Sequence, residues 1–293
     1  MKQTPYLAAA ISFSALAAVS VLLWWRPLGD TLRLALMDDA YTHLLLILPL
    51  SAALVYFDSK ALRIDPRPSL GIGMTVLLLS GLMFCFARWR LVTATDDVWL
   101  SLFMVALVTW WIASILLCFG VRTFRLLAFP ICFLYMIVPI PELALGRIIE
   151  FLQQQSALAA QLMFRAVAVP VTRDGIMLSI PGLDIEVAPQ CSSIRSSMML
   201  LIITVVLAQL FLRSWWRRAL LIAAVAPLSV AKNGLRIFTI AELGTRVDPA
   251  FFEGRLHHQG GIVFLGIALI AVVAILWLLQ RNEVSAMGPR GIN

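Results

Sequence analysis

Six side chains in the last third of the chain are of types that carry out acyl transfer. Cys191 and Arg195 open one apolar run, and four residues apart they share a helix face about one turn from each other. A guanidinium that near a thiol favours the thiolate, and the positive end of a helix acts in the same direction. Asn233 and Arg236 close the next apolar run three residues apart, again on one face, and His257 and His258 stand just before the last run. A thiol, an imidazole and guanidinia at one depth supply a nucleophile, a general acid/base and a partner for an oxyanion. Each feature also has a plainer reading. Cys191 is then inert in a polar cap while Arg195 snorkels to the interface, and Lys232 and Arg236 snorkel from a span end. An Asn beside an Arg inside an apolar helix suits a polar cavity better. Paired histidines near a cysteine also raise zinc, but neighbouring histidines on a helix point different ways and no acidic cluster joins them, so no metal site is expected. The chain has neither HExxH nor GxSxG, which removes zinc-protease and serine-hydrolase signatures.

Those residues must be held by membrane helices. Of 293 residues 61% are hydrophobic and 13% charged, and mean hydropathy is +0.93. A soluble domain is roughly half apolar and a quarter charged, so too little polar surface remains here to cover a water-soluble sphere. Net charge is +7, yet the basic residues form short clusters between apolar runs and make no basic stripe interleaved with aromatics, which excludes nucleic acid as a partner. Cys85, Cys118 and Cys132 lie inside apolar runs as small hydrophobes, and no CxxC spacing is present. At about 20 apolar residues per crossing, spans are expected near 6–25, 41–57, 69–87, 98–119, 123–141, 192–212, 219–240 and 260–280. The fold class is thus an all-α polytopic membrane protein of about eight transmembrane helices, a single transmembrane domain over 1–293. It comprises a five-span part (1–141), an extracytoplasmic segment (142–191) and a three-span part with the active site (192–280). The first span lacks a clear cleavage site and is read as retained.

With the N-terminus inside, the short inner segments carry eleven Lys and Arg against three acids, and the outer ones nine Arg against thirteen acids. The dense inner basics favour N-in and C-in. Cys191, Arg195, Asn233, Arg236 and His257 then all fall at the outer leaflet. Within the outer segment, 143–169 is helical in pattern but carries Glu150 and Gln153-Gln154-Gln155, which suits an interfacial helix; a ninth span is the competing reading. From Val171 to Val187, Asp-Gly and Pro-Gly turn signals separate short alternating runs, predicting a small hairpin that delivers the chain to Cys191.

At these residues the sequence resembles the exosortase/archaeosortase family of membrane transpeptidases. The family pattern is Cys-Ser-Gly-hydrophobic-Arg-Ser, then Asn-x-hydrophobic-Arg at the end of the next span, then a His shortly before the last. Here stand Cys191-Ser-Ser-Ile-Arg195-Ser, Asn233-Gly-Leu-Arg236, and Leu256-His257 followed by Gly261. The similarity extends to Asp39-Ala-Tyr41-Thr-His43, Phe129-Pro130, Ile140-Pro141 and Leu152-Gln153, and covers the chain from about residue 36 onward. Three positions depart from the pattern: Ser193 replaces Gly, His258 stands where Asp is common, and Ile262 replaces Trp. Spacing to Gly261 favours His257, with His258 as its rival.

The resemblance implies cleavage of secreted proteins that bear a C-terminal sorting signal: a short motif of Pro-Glu-Pro type, a transmembrane helix and a basic end. It implies Cys191 as nucleophile through a thioester acyl-enzyme, His257 as acid/base and Arg236 at the oxyanion, with Arg195, Asn233 and His258 in support. The arginine roles are interchangeable at this level. It implies no cofactor, an acceptor nucleophile of unstated identity, and residence in a bacterial inner membrane with the site facing the periplasm. Two other readings remain open. One is a non-enzymatic component of polysaccharide export or transport, with Arg and Asn lining a path. The other is a lipid-linked acyltransferase or cysteine amidase.

Overall fold

The computed structural model describes residues 4–61, 66–90, 96–187, 194–252 and 255–286. The chain divides into two compact units, Met1–Leu145 and Gly146–Asn293. In the first, α1 (Thr4–Leu23), α2 (Trp25–Met37), a 3-10 turn (Asp39–Tyr41), α3 (Leu44–Ala61), α4 (Leu70–Arg90) and α5 (Asp96–Cys118) follow in order. Helices α1, α3, α4 and α5 are apolar on all sides, and residues such as Leu22, Leu82 and Ile72 lie exposed, as lipid-facing side chains do. The centre of this unit is α5, whose Met104, Ala106, Leu107 and Val108 are fully buried. Helices α1 and α4 pack on α5, and polar side chains tie them together. Trp24 Nε1 donates to the Phe103 carbonyl at 2.8 Å, Trp110 Nε1 to Leu16 at 3.1 Å and Ser80 Oγ to Ala106 at 2.7 Å. Helix α2 falls in the stretch between the first two expected spans, where no element was foreseen.

The expected span over 123–141 is not one helix. It is α6 (Gly120–Leu126) and α7 (Ala128–Phe133), with a 3-10 turn at Leu134–Ile137, and the two limbs bend by 77°. Pro130 explains the break: it has no N–H for the Leu126 carbonyl, and its ring crowds that carbonyl. Backbone groups left open inside a membrane need partners. Hydroxyls from the surrounding elements supply them: Ser51 donates to the Pro130 carbonyl, Ser101 to Pro139 and Tyr41 to Ile140, each at 2.7 Å. The turn from α5 into α6 depends on Gly120, held at φ 84°, where a Cβ would collide with the Arg67 carbonyl.

The second unit contains most of α8 (Glu142–Ala166), then strands β1 (Thr172–Asp174), β2 (Met177–Ile180) and β3 (Leu183–Glu186), α9 (Ile194–Phe211), α10 (Trp215–Ala223), α11 (Val225–Arg246) and α12 (Arg255–Ala286). The expected hairpin is a three-stranded antiparallel meander, because both turn signals are used. Gly175 (φ 58°) turns β1 into β2, and Pro181-Gly182 (φ 83°) turns β2 into β3, with Ile180 opposite Leu183. Leu178 and Ile180 face inward onto Ala157, Ala160 and Phe164 of α8 and Ile237 and Ala241 of α11. Pro227 parts α10 from α11 by removing the N–H that would bond back to Ala223. The α9–α10 corner is closed by arginines: Arg218 Nε donates to the Leu212 carbonyl at 2.7 Å, and Arg217 donates to Leu279 and Asn282 of α12 at 3.1 and 3.3 Å.

Seven helical segments of the described residues are long and apolar enough to cross a membrane, or eight if the bent α6–α7 pair counts as one span. The protein is an all-α polytopic membrane protein. Helix α8 is not among these segments, since Arg147, Glu150 and the glutamines lower its hydropathy.

Candidate functional site

Two anchored segments flank the cysteine. Val187, 1% exposed, receives two bonds: its N–H donates to the Ile176 carbonyl at 3.1 Å, and its carbonyl accepts from Gln153 Nε2 of α8 at 2.6 Å. The described chain resumes at buried Ile194, the first residue of α9. Cys191 lies outside the described residues, three positions before Ile194. Arg195 projects from the first turn of α9 and engages a neighbour.

Helix α11 supplies the second set. Asn233 is 1% exposed and donates through Nδ2 to Ser156 Oγ of α8 at 3.0 Å. Arg236, one turn on, is half-buried and also engaged. These residues were expected at a span end, but α11 continues to Arg246, which pairs with Glu242 at 2.9 Å. The Asn–Arg pair is therefore mid-helix, where snorkelling is no account of it. His257 and His258 fall on the first turn of α12, which starts earlier than the expected span; their side chains lie outside the described residues. Helix α12 packs on both α9 and α11.

Lys232 is the residue whose part the sequence reading missed. Snorkelling was its expected behaviour. Instead it is 4% exposed and donates to the Ser196 hydroxyl of α9. The cause is geometric, since its position on α11 aims inward at α9, away from any interface. Nearby, the Ser197 and Ser229 hydroxyls are buried with no hydrogen-bond partner among the described residues. A buried amine that donates to Ser196, with a guanidinium one turn further along α11, puts a hydrogen-bond donor at the start of α9, of the kind that can stabilise a developing negative charge. An alternation of polar residues with apolar ones at Ser196, Ser229 and Lys232 was the only available signal, and it does not say which helices meet.

The register of α11 on α8 is set by close packing. A Cβ on Gly234 would lie 2.6 Å from Ala159 Cβ and 3.1 Å from the Ala160 backbone nitrogen. Phe164 and Phe238 pack edge to face 5.0 Å apart a turn further on. Gly234→Val should force the helices apart and move Asn233 and Arg236 with them, lowering stability by about 1–3 kcal/mol. Thermal melting of the detergent-solubilised protein reads this; an unchanged melting temperature would mean that α8 and α11 are not clamped at this point. Among the described residues no group of three His, Cys, Asp or Glu side chains gathers where a metal ion could bind.

A family model described as transmembrane exosortase matches residues 24–274. No curated protein and no solved structure matches the chain.

Proposed function

Since the chain belongs to the transmembrane exosortase family, we propose that it is a membrane cysteine peptidase or transpeptidase that removes C-terminal sorting signals from secreted proteins. The observation that carries this reading is buried Lys232 bonded to Ser196 at the start of the helix that Cys191 precedes, with buried Asn233 and half-buried Arg236 following it on α11. So much desolvated polarity in one place needs a reason, and a developing oxyanion supplies one.

In this mechanism the Cys191 thiolate attacks the scissile carbonyl carbon. The carbonyl oxygen becomes an oxyanion, stabilised by Arg236, with Arg195 supporting the thiolate. Collapse breaks the C–N bond, and the leaving amine takes a proton from His257. The tail departs and the thioester remains on Cys191. Water or an amine acceptor then attacks the thioester, passes a proton to His257 and releases the Cys191 thiolate. Asn233, bonded to Ser156, sets the position of Arg236 on α11. His258 takes the place of His257 in the rival assignment.

Eight crossings, counting the bent α6–α7 pair as one, put both termini on one side and the 142–191 segment on the other. With the basic loops inside, the site faces the periplasm of a bacterial inner membrane. A single experiment examines function and orientation together. A secreted reporter ending in a Pro-Glu-Pro-type motif, an apolar helix and a basic end is co-expressed with the protein in bacterial cells. The expected result is a shortened reporter recovered from the periplasm, with no shortening when the motif is deleted. An uncut reporter would remove the function, and a shortened reporter confined to the cytoplasm would reverse the orientation.

A further inference from the structure

The first unit holds a cavity of about 890 Å³ that takes no part in the chemistry above. Its floor is apolar, built from Phe84 near the end of α4, Leu100 and Phe103 at the start of α5 and Leu23 at the end of α1, with exposed Leu22 at its lipid-facing edge. Its rim is charged: Arg26, Asp30 and Arg33 come from α2, and Arg88 from α4. On α2 these three residues follow the spacing of one helix face, while Thr31 and Ala35 bury another. If spans alternate, α1 and α4 end and α5 begins at the same membrane face, so the rim lies at headgroup depth and the floor in hydrocarbon.

Among the described residues the rim charges are not paired with one another. Asp30, Arg33 and Arg88 make no hydrogen bond or ion pair among the described residues, and Arg26 lies over the Trp25 ring at 5.1 Å. Trp25 is itself 62% exposed, an interfacial aromatic beside the opening. Among the described residues, three arginines and one aspartate give the rim a net charge of +2. Their mutual repulsion is relieved by an anion that sits among them, and guanidinia match phosphate oxygens in geometry as well as charge.

We infer that this cavity binds an anionic phospholipid, with its phosphate among Arg26, Arg33 and Arg88 and its acyl chains on the apolar floor. A soluble phosphate satisfies the rim but leaves the floor without a ligand, whereas a zwitterionic lipid fills the floor but returns a positive charge to the rim. The volume suits a headgroup with the first part of its chains; ligand pockets run to roughly 300–1,000 Å³.

Native mass spectrometry of the full-length protein in detergent tests this, with phosphatidylglycerol and phosphatidylcholine of identical chains as probes. Wild type should retain one phosphatidylglycerol with a preference of about tenfold or more, since each arginine near an anionic headgroup contributes about fivefold. The combined Arg26→Gln, Arg33→Gln and Arg88→Gln variant should bind the two lipids alike, and Arg33→Gln alone should lose part of the preference. Arg122→Gln, an exposed arginine on α6 outside this rim, should behave as wild type. Excess glycerol phosphate should not displace the lipid. The wild-type comparison is repeated as a thermal shift, which needs no variant to fold: phosphatidylglycerol should raise the melting temperature more than phosphatidylcholine. Equal binding of the two lipids by wild type, a preference that survives in the triple variant, or displacement by glycerol phosphate would each overturn the inference.

Discussion

Replacing Cys191 with Ala is expected to abolish cleavage of the tailed reporter while the variant accumulates in the membrane at the wild-type level. The expected loss is at least roughly 1,000-fold, the scale on which removal of a nucleophile acts when its partners cannot work without it. The side-chain change is small and falls outside the anchored elements, so loss of folding is not the expected cause. Val187 keeps its two hydrogen bonds and Ile194 its buried place at the head of α9. A transport component, whose arginine and asparagine line a path, has no need of the thiol and would tolerate the change. Immunoblotting of the reporter, with quantified expression of each variant, separates the two. Unchanged cleavage by well-expressed Cys191→Ala would turn the account to transport.

Arg236→Ala is expected to lower kcat by roughly 100- to 1,000-fold with little change in KM, as removal of a single oxyanion donor does. The reasoning rests on position. Arg236 is half-buried one turn beyond Lys232, and Lys232 is bonded to the first turn of α9. A guanidinium there acts in surroundings where a charge has more effect than in water. Arg236→Lys should restore part of kcat, because the charge returns without the forked donors. Steady-state kinetics on a solubilised tailed peptide measure both values. A rise in KM at constant kcat would instead make Arg236 a residue that holds the substrate's ground state.

Much of the architecture was readable from the order of apolar and polar residues. Runs of about twenty apolar residues have few alternatives to a membrane helix, and α1, α3, α4, α5 and α9 fall where hydropathy puts them. Hydropathy does not record where a helix must bend. Pro130 permits a kinked span or a 77° break, and the hydroxyls of Ser51, Ser101 and Tyr41 that stabilise the break come from distant positions in the chain. Helix α2 was missed for a related reason: thirteen residues with Arg26, Asp30 and Arg33 on one face have too low an average hydropathy to stand out. The turn dipeptides Asp-Gly and Pro-Gly were legible, but each closes its own pair of strands, so the element has three strands instead of two.

The site shows the same division. Asn233 and Arg236 stand out in sequence as polar residues in an apolar run, and the structure puts both mid-helix, with Asn233 against α8. Gln153 reads in sequence as a sign of an interfacial surface, and Ser156 gives no signal there. They are buried groups that fix Val187 and Asn233, an assignment that depends on which helices touch. Lys232 was misread because a lysine near an expected span end defaults to snorkelling; only the continuation of α11 to Arg246 places it deep.

The central claim is a covalent thioester on Cys191, and the intact mass of the enzyme tests it most directly. Purified protein is mixed with the tailed reporter, quenched in acid during turnover and weighed. The account predicts a species heavier by the N-terminal part of the cleaved reporter, discharged by hydroxylamine and absent from Cys191→Ala. Cleavage at the wild-type rate by Cys191→Ala, with no adduct on either protein, would contradict it.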